Sequence, residues 1–284
     1  MADATSEIFP EHWSISDHLL LSQSVTSRIF NVRLRDGRLA IVKQLTDAGL
    51  KDEMRGADFL AWRRGAGCVE LLSRDHENQL LEYAGKRTLL DHLNDYGDEA
   101  ATAIMIDVLN RVHTGSSYSP PKELQRLGDR FASLFARANS EPQSKKPSLY
   151  VEAARIAENL LANEQDIKPL HGDLHHGNIM LSARGWLAID PKGLLGDPAY
   201  EVANMFYNPL DRNDLRTSEN RISDLASMFS QTLGREAVTI LEFAFVHACL
   251  AASWHAEDGD GQEADRGLDV AKAIKRVLWR YQPS

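Results

Sequence analysis

The sequence predicts an α+β protein of two lobes, with a small antiparallel sheet at the N-terminal end and a larger helical lobe after it. Three observations predict this. Short apolar or alternating runs crowd the first 85 residues, the pattern breaks at Ala84-Gly85, and helical periodicity dominates from there on. The expected lobes are therefore 1–85 and 86–284. In the first, strands are expected at 19–21, 28–34, 39–45, 69–72 and 79–83. Asp36-Gly37 forms the turn between the second and third, since Asp-Gly is a strong hairpin signal. A helix is expected near 50–64, where Met54, Ala57, Phe59, Leu60 and Ala61 recur at helical spacing before Gly65. In the second lobe, helices are expected near 89–94, 99–113, 129–138, 149–163, 235–255 and 264–281. Loops are expected at 118–121 and 140–147, and a hairpin over 178–189.

Bulk composition narrows the function classes. At 43% hydrophobic and 26% charged, the chain of 284 residues has the make-up of a globular protein with an ample core. No apolar run is read as approaching the roughly 20 residues of a membrane span, and residues 1–8 are polar and acidic, unlike a secretory signal. A cytoplasmic location is the expectation, with no membrane partner. Cys68 and Cys249 read as two reduced, buried thiols. A net charge of −9 argues against nucleic acid as a partner. Acidic side chains outnumber basic ones over 194–284, a surface that could attract a cationic substrate or simply be well solvated.

The segment His171-Gly172-Asp173-Leu174-His175-His176-Gly177-Asn178 carries the most chemistry, together with Asp190 after the apolar run 186–189. A lone His-Gly-Asp is usually a turn. The whole unit, an Asp, an Asn five residues on, and a hairpin ending in a second Asp, is far more specific. Phosphoryl transfer needs an acceptor hydroxyl held in line, metal ions on the phosphates and charge compensation. Asp173 suits the hydroxyl's proton. Asn178 and Asp190 are hard oxygen ligands suited to Mg²⁺, and a hairpin would bring them together. The three histidines raise zinc, but no Cys partner or helical His-Glu-x-x-His pattern accompanies them.

The N-terminal half offers matching parts. Ala40-Ile41-Val42-Lys43 reads as a strand ending in a phosphate-holding lysine. Glu53 reads as its helix partner, with Asp52 a rival one residue away. A phosphate loop would fall between the first two strands. It has no glycine, and Ser24, Thr26 and Ser27 would offer backbone N–H and hydroxyl groups. Backbone groups at Glu82, Tyr83 and Ala84 would meet an adenine ring where the lobes join. The expected cofactors are ATP and Mg²⁺ on a two-lobed, protein-kinase-like fold.

These residues resemble the aminoglycoside phosphotransferase family, in its aminoglycoside/hydroxyurea antibiotic resistance kinase branch. The resembling segments are Pro10-Glu11-His12-Trp13, 40–43, Arg55-Gly56-Ala57-Asp58, 80–85, 170–180, Arg184-Gly185-Trp186 and Ala203-Asn204-Met205-Phe206-Tyr207. The resemblance implies that Asp173 is the catalytic base, that Asn178 and Asp190 hold Mg²⁺, and that Lys43 with Glu53 holds the phosphates. Pro191-Lys192-Gly193 after Asp190 departs from the Phe-Gly of protein kinases and argues against protein substrates. An aminoglycoside acceptor is implied, with streptomycin at its 6-hydroxyl as the sharpest form. A sugar, a choline-like alcohol, hydroxyurea, or a nucleotide-binding pseudokinase without turnover are the alternatives. Streptomycin carries two guanidinium groups, so Asp197, Glu201, Glu257 and Asp258 become candidate substrate contacts, with Asp197 equally suited to capping the helix near Pro198. Trp254 and His255 could stack on sugar rings, although Trp254 fits a core role better.

Overall fold

The computed structural model describes residues 9–142 and 147–281. The expectation for residues 1–8 lies outside them. Five strands, β1 (Ile15–Gln23), β2 (Ser27–Leu34), β3 (Leu39–Leu45), β4 (Leu71–Asp75) and β5 (Asn78–Glu82), form an antiparallel sheet in the order β1-β2-β3-β5-β4. Period-2 alternation divides its two faces. Phe30, Val32, Ala40, Val42 and Leu80 pack on one side with Phe9, Trp13, Ile15 and Leu34 as a small core. Ile29, Ile41, Lys43, Gln79 and Leu81 point the other way and line a cleft. Two short helices, α1 (Asp47–Asp52) and α2 (Met54–Arg63), lie between β3 and β4. The single helix expected over 50–64 is thus two. Thr46 caps the first, its side chain accepting from the Gly49 N–H, and the break falls at Glu53.

The remaining chain is mostly helical, with α3 (Leu89–Tyr96), α4 (Asp98–His113), α5 (Leu127–Arg130), α6 (Ala132–Ser140) and α7 (Leu149–Ala162) preceding the 171–178 segment. Five short strands accompany these helices. β6 (Gln125–Arg126), β7 (Lys168–Leu170) and β10 (Leu194–Gly196) make a small sheet, and β8 (Ile179–Ser182) pairs with β9 (Gly185–Ala188) as the expected hairpin. The C-terminal part comprises α8 (Ala203–Tyr207), α9 (Asn213–Arg216), α10 (Glu219–Leu233), α11 (Ala237–Glu257) and α12 (Gly261–Tyr281).

α11 corrects one expectation. It is long and apolar enough to cross a membrane by length and composition. It is instead the core helix of this lobe: every residue from Phe243 to Ser253 is buried, and it packs against α12, α8 and α7. Both cysteines are buried and unpaired, and burial pushes the Cys68 thiol up to about 12.

Candidate active site

A cleft of about 500 Å³ opens between the sheet and the helical lobe. Ile29, Ile41 and Leu81 of the sheet form one apolar wall, and Met180 and Ile189 of the β8–β9 hairpin form the opposite one. Glu82, Tyr83 and Ala84, all expected there, line the edge where the lobes join. This edge is braced. Arg184, in the hairpin turn, donates to both carboxylate oxygens of Glu82 (2.8 and 2.5 Å) and to the carbonyls of Gly65 and Cys68. Such a two-pronged contact fixes orientation as well as adding energy.

Lys43 sits deep in the cleft and pairs with Glu53 and Asp190, joining β3, the α1–α2 break and the end of the hairpin. Burial pulls the lysine ammonium down, but Asp190 and Glu53 outweigh it and hold its pKa above the ordinary lysine value. Burial likewise pushes the Asp190 carboxyl up, while Lys43 and Lys192 bring it below the usual range. Lys43 and Asp190 therefore face each other charged. The hairpin also closes as its spacing implies: the Ile189 N–H donates to the Asn178 carbonyl at 2.9 Å, returning the chain to Asn178 one residue before Asp190.

Asp190 adopts φ 56°, a left-handed conformation that a non-glycine residue holds only when its surroundings compel it. The next three residues supply that compulsion. The Lys192 N–H donates to the His171 carbonyl (2.8 Å), and Pro191 and Gly193 press against the backbone of Gly56 and Arg55 on α2. A Cβ at position 56 would collide with the Pro191 carbonyl, so Gly56 is what lets α2 approach the Asp190 loop.

The segment 171–178 is held from below. His171 and Gly172 donate their backbone N–H groups to the two oxygens of Glu201, each at 2.8 Å, and His113 donates to the same carboxylate at 3.2 Å. Gly172 takes φ 78°, and a Cβ there would enter the Leu194 side chain. The His171 Nε2–H donates to the Ile189 carbonyl (2.9 Å), which leaves Nδ1 to accept from the Asp173 N–H (3.3 Å). Asp173 is then gripped at both oxygens: Asn204 donates to Oδ1 (2.8 Å) and Asn178 to Oδ2 (3.1 Å). The other two histidines act separately. His175 Nδ1 accepts from the Gly177 N–H, and burial holds the His176 imidazole down to about 3.

Glu201 and Asp197 depart from the expected substrate role. Both are 1% exposed. The oxygens of Glu201 are spent on the backbone of His171 and Gly172. Asp197 caps the 3-10 turn Pro198–Val202, with Oδ1 accepting from the Ala199 N–H and Oδ2 from the Gln165 N–H and Arg235. Ser24 and Thr26 do not reach the cleft, which Ser27 alone of that trio lines. The Thr26 and Ser27 N–H groups expected to meet phosphates donate instead to the Ser24 hydroxyl, closing the β1–β2 turn on itself. Glu257 accepts from Ser133, and Asp258 is exposed at the end of α11. Neither lines the cleft. Sequence reasoning gave no role to Asn204, His113 or Arg184, because each acts through a fold-level neighbour rather than a spacing.

Glu201→Ala should cost about 3–5 kcal/mol of folding stability, since it orphans two buried N–H groups, as read by urea denaturation. A loss under about 1 kcal/mol, the median for a surface pair, would contradict the clamp. Burial raises the Glu201 pKa, but His113, His171 and the Gly172 N–H lower it further, to a net value below the ordinary one. Its stabilisation is thus complete above the unfolded value of about 4.3 and is lost as pH falls through the folded value. Glu201→Gln should lack that acid limb.

A sequence profile described as aminoglycoside/hydroxyurea antibiotic resistance kinase matches residues 12–259. The chain belongs to this family. A streptomycin 3″-kinase from Klebsiella pneumoniae is 33% identical over 275 residues, covering 94% of this chain and 99% of the relative. A streptomycin 6-kinase from Streptomyces griseus is 30% identical over 229 residues (76% and 71%), and a hydroxyurea phosphotransferase from Kitasatospora aureofaciens is 28% identical over 281 (94% and 76%). Among solved structures, amicoumacin kinase in complex with AMP-PNP, Ca²⁺ and Ami aligns at TM-score 0.66, with 12% identity over 99% of this chain and 96% of that one. Aminoglycoside phosphotransferase APH(4)-Ia with AMP-PNP and hygromycin B aligns at 0.62, with 16% identity over 97% and 99%. The fold is the two-lobed kinase-like one, and the protein is a phosphotransferase that acts on an alcohol group.

Proposed function

We propose that the protein transfers the γ-phosphoryl group of ATP to a hydroxyl of an aminoglycoside, with streptomycin as the first acceptor, and does so in the cytoplasm where ATP is supplied. One observation carries the reading: Lys43, Asn178 and Asp190 line the same cleft, and Asp173 is hydrogen-bonded to Asn178 at its rim. Residues 1–85 would form the nucleotide-binding lobe, and 86–284 the lobe that carries the base and the acceptor site.

The donor set fits Mg²⁺. A carboxylate and an amide carbonyl are hard oxygen ligands. The Asn178 Nδ2 is spent on Asp173, which leaves its Oδ1 available. Among the described residues there is no cluster of three or more His, Cys, Asp or Glu, so the ion would share its coordination with the phosphates. Asp190 and Asn178 would hold Mg²⁺, which would supply charge neutralisation on the phosphates. The remaining work belongs to the chain. Lys43 offers a fixed positive charge to the phosphates, and Glu53 keeps it extended toward them. Asp173 accepts the proton of the acceptor hydroxyl, because each of its oxygens keeps a lone pair beyond the one already engaged. Ile29, Ile41 and Met180 would sandwich the adenine ring and exclude water. With Glu201 and Asp197 buried, Glu257 and Asp258 remain the sequence-predicted acids open to a cationic acceptor.

The 6-hydroxyl of the streptidine ring is the first reading of the acceptor position. A second reading, the 3″-hydroxyl, is favoured by the relative at 33% identity. ATP consumption by the purified protein, offered streptomycin, kanamycin, choline and hydroxyurea separately, tests the class, and ³¹P-coupled NMR of the product assigns the position. Turnover with streptomycin alone is the expected result. Turnover only with choline or hydroxyurea would overturn the acceptor class and leave the kinase standing.

A further inference from the structure

α11 is apolar on all sides, and His247 is the one imidazole in its buried stretch from Phe243 to Ser253. A polar ring in such a place is costly unless both nitrogens are engaged, and both are. Nε2 meets the side-chain oxygen of Asn204 at 3.0 Å, and Nδ1 meets the Tyr200 hydroxyl at 3.1 Å. Asn204 in turn contacts Asp173 Oδ1 at 2.8 Å, and Asn208 Nδ2 donates to the Asn204 Oδ1 at 2.8 Å. His247, Tyr200, Asn204 and Asn208 are all under 10% exposed.

The chain of bonds can be read in one direction only. An ionised carboxylate accepts and cannot donate, so Asn204 must turn its NH₂ toward Asp173. Its oxygen then faces Asn208 and His247, and an oxygen needs donors. His247 must therefore carry its proton on Nε2, which leaves Nδ1 bare, and Tyr200 must donate to it. The opposite setting of the Asn204 amide would place oxygen against oxygen at Asp173 and donor against donor at Asn208. Burial, with the Arg130 charge adding, holds the His247 imidazole down to about 3, so the ring stays neutral and keeps this tautomer.

We propose that Asn204 is a positioning residue, oriented by His247 and Asn208, that locks the rotation of the Asp173 carboxylate so that one lone pair of each oxygen faces the acceptor hydroxyl. This rests on the reading of Asp173 as the base. Asn178 holds Oδ2 and the Asp173 backbone carbonyl, and so anchors one carboxylate oxygen only. Asn204 adds the second anchor on the other oxygen. A displaced base costs turnover steeply, because the reacting groups must be held in near-attack geometry.

Steady-state kinetics with streptomycin, or the panel compound that the wild type turns over fastest, tests the proposal alongside ATP titration by calorimetry. Asn204→Ala should lower kcat about 100-fold, as expected for a displacement near 1 Å, while ATP affinity and the KM for ATP stay at the wild-type value. His247→Gln and His247→Asn make the sharper pair. The Gln amide reaches the position of Nε2 and can still donate to Asn204, whereas the Asn amide reaches only the position of Nδ1. His247→Gln should keep kcat close to wild type, and His247→Asn should lose most of the Asn204→Ala effect's worth of turnover. Equal losses in the two would show that His247 acts by packing alone and would overturn its part. Near-normal kcat in Asn204→Ala, alongside a dead Asp173→Asn, would overturn the positioning role and leave the base intact. An active Asp173→Asn would take down both. Independently of any acceptor, ¹⁵N NMR of the ring should show a protonated Nε2 and a bare Nδ1, and the reverse pattern would break the chain at its second link.

Discussion

Asp173→Asn should leave the fold and nucleotide affinity close to wild type and lower kcat by about 10³-fold, within the span that a positioned general base contributes. The substitution keeps the size of the side chain and removes two things. One is the site that accepts the hydroxyl proton. The other is half of the local hydrogen bonding, since an amide presents one oxygen to Asn204 and Asn178, both of which donate to Asp173. One of the two donors must then face an NH₂ group. Nucleotide affinity is spared because Asp173 does not line the cleft, whose walls are Ile29, Ile41, Lys43, Leu81, Met180 and Ile189. The measurements are kcat at saturating acceptor, ATP affinity by calorimetry, and thermal unfolding to check the fold. Turnover within tenfold of wild type would remove Asp173 as the base. A matching collapse of ATP affinity would instead place it in the nucleotide site.

The parts of this site that were legible in the sequence are those joined by short, regular structure. The hairpin from Asn178 to Asp190 follows from two apolar runs and a four-residue turn, so the meeting of those residues could be read directly. Lys43 follows from strand alternation, with Ile41 and Lys43 on one face and Ala40 and Val42 on the other. Glu53 was read as the partner of Lys43 on a continuous helix. It sits instead at the junction of α1 and α2, ending the first helix and opening the second. α10 went unread although Ser218 caps it and its buried residues Ile222, Leu225, Ala226 and Phe229 recur at helical spacing. The acids were the main misreading. Asp197 and Glu201 lie close behind Asp190 in a net acidic region, and nothing in charge pattern separates a solvent-facing acid from one buried under backbone N–H groups. Asn204 and His247 are 31 and 74 residues from Asp173, and only the packing of α11 against α8 brings them to it.

Asp190→Ala should abolish Mg²⁺-dependent nucleotide binding, whereas Asn178→Ala should weaken it by about tenfold, the worth of one ordinary hydrogen-bond-strength contact. Two physical differences separate the residues. Asp190 brings a formal charge, held ionised by Lys43 and Lys192 against the pull of burial, and Asn178 brings only a carbonyl dipole. Asp190 also neutralises Lys43, which it shares with Glu53. Without it the lysine keeps one acidic partner rather than two, and its remaining charge is freer to meet phosphate oxygens. Calorimetric titration of ATP with and without Mg²⁺ should therefore split the variants. Asp190→Ala should bind ATP with an affinity that no longer responds to Mg²⁺ and that, in its absence, equals or exceeds that of the wild type. Asn178→Ala should keep a reduced Mg²⁺ response and also lose turnover, because it releases Asp173 Oδ2. Small and equal losses in both would reject this pair as the cation site. Retained Mg²⁺ dependence in Asp190→Ala would move the cation to other oxygens in the cleft, with Glu53 the next carboxylate beside Lys43.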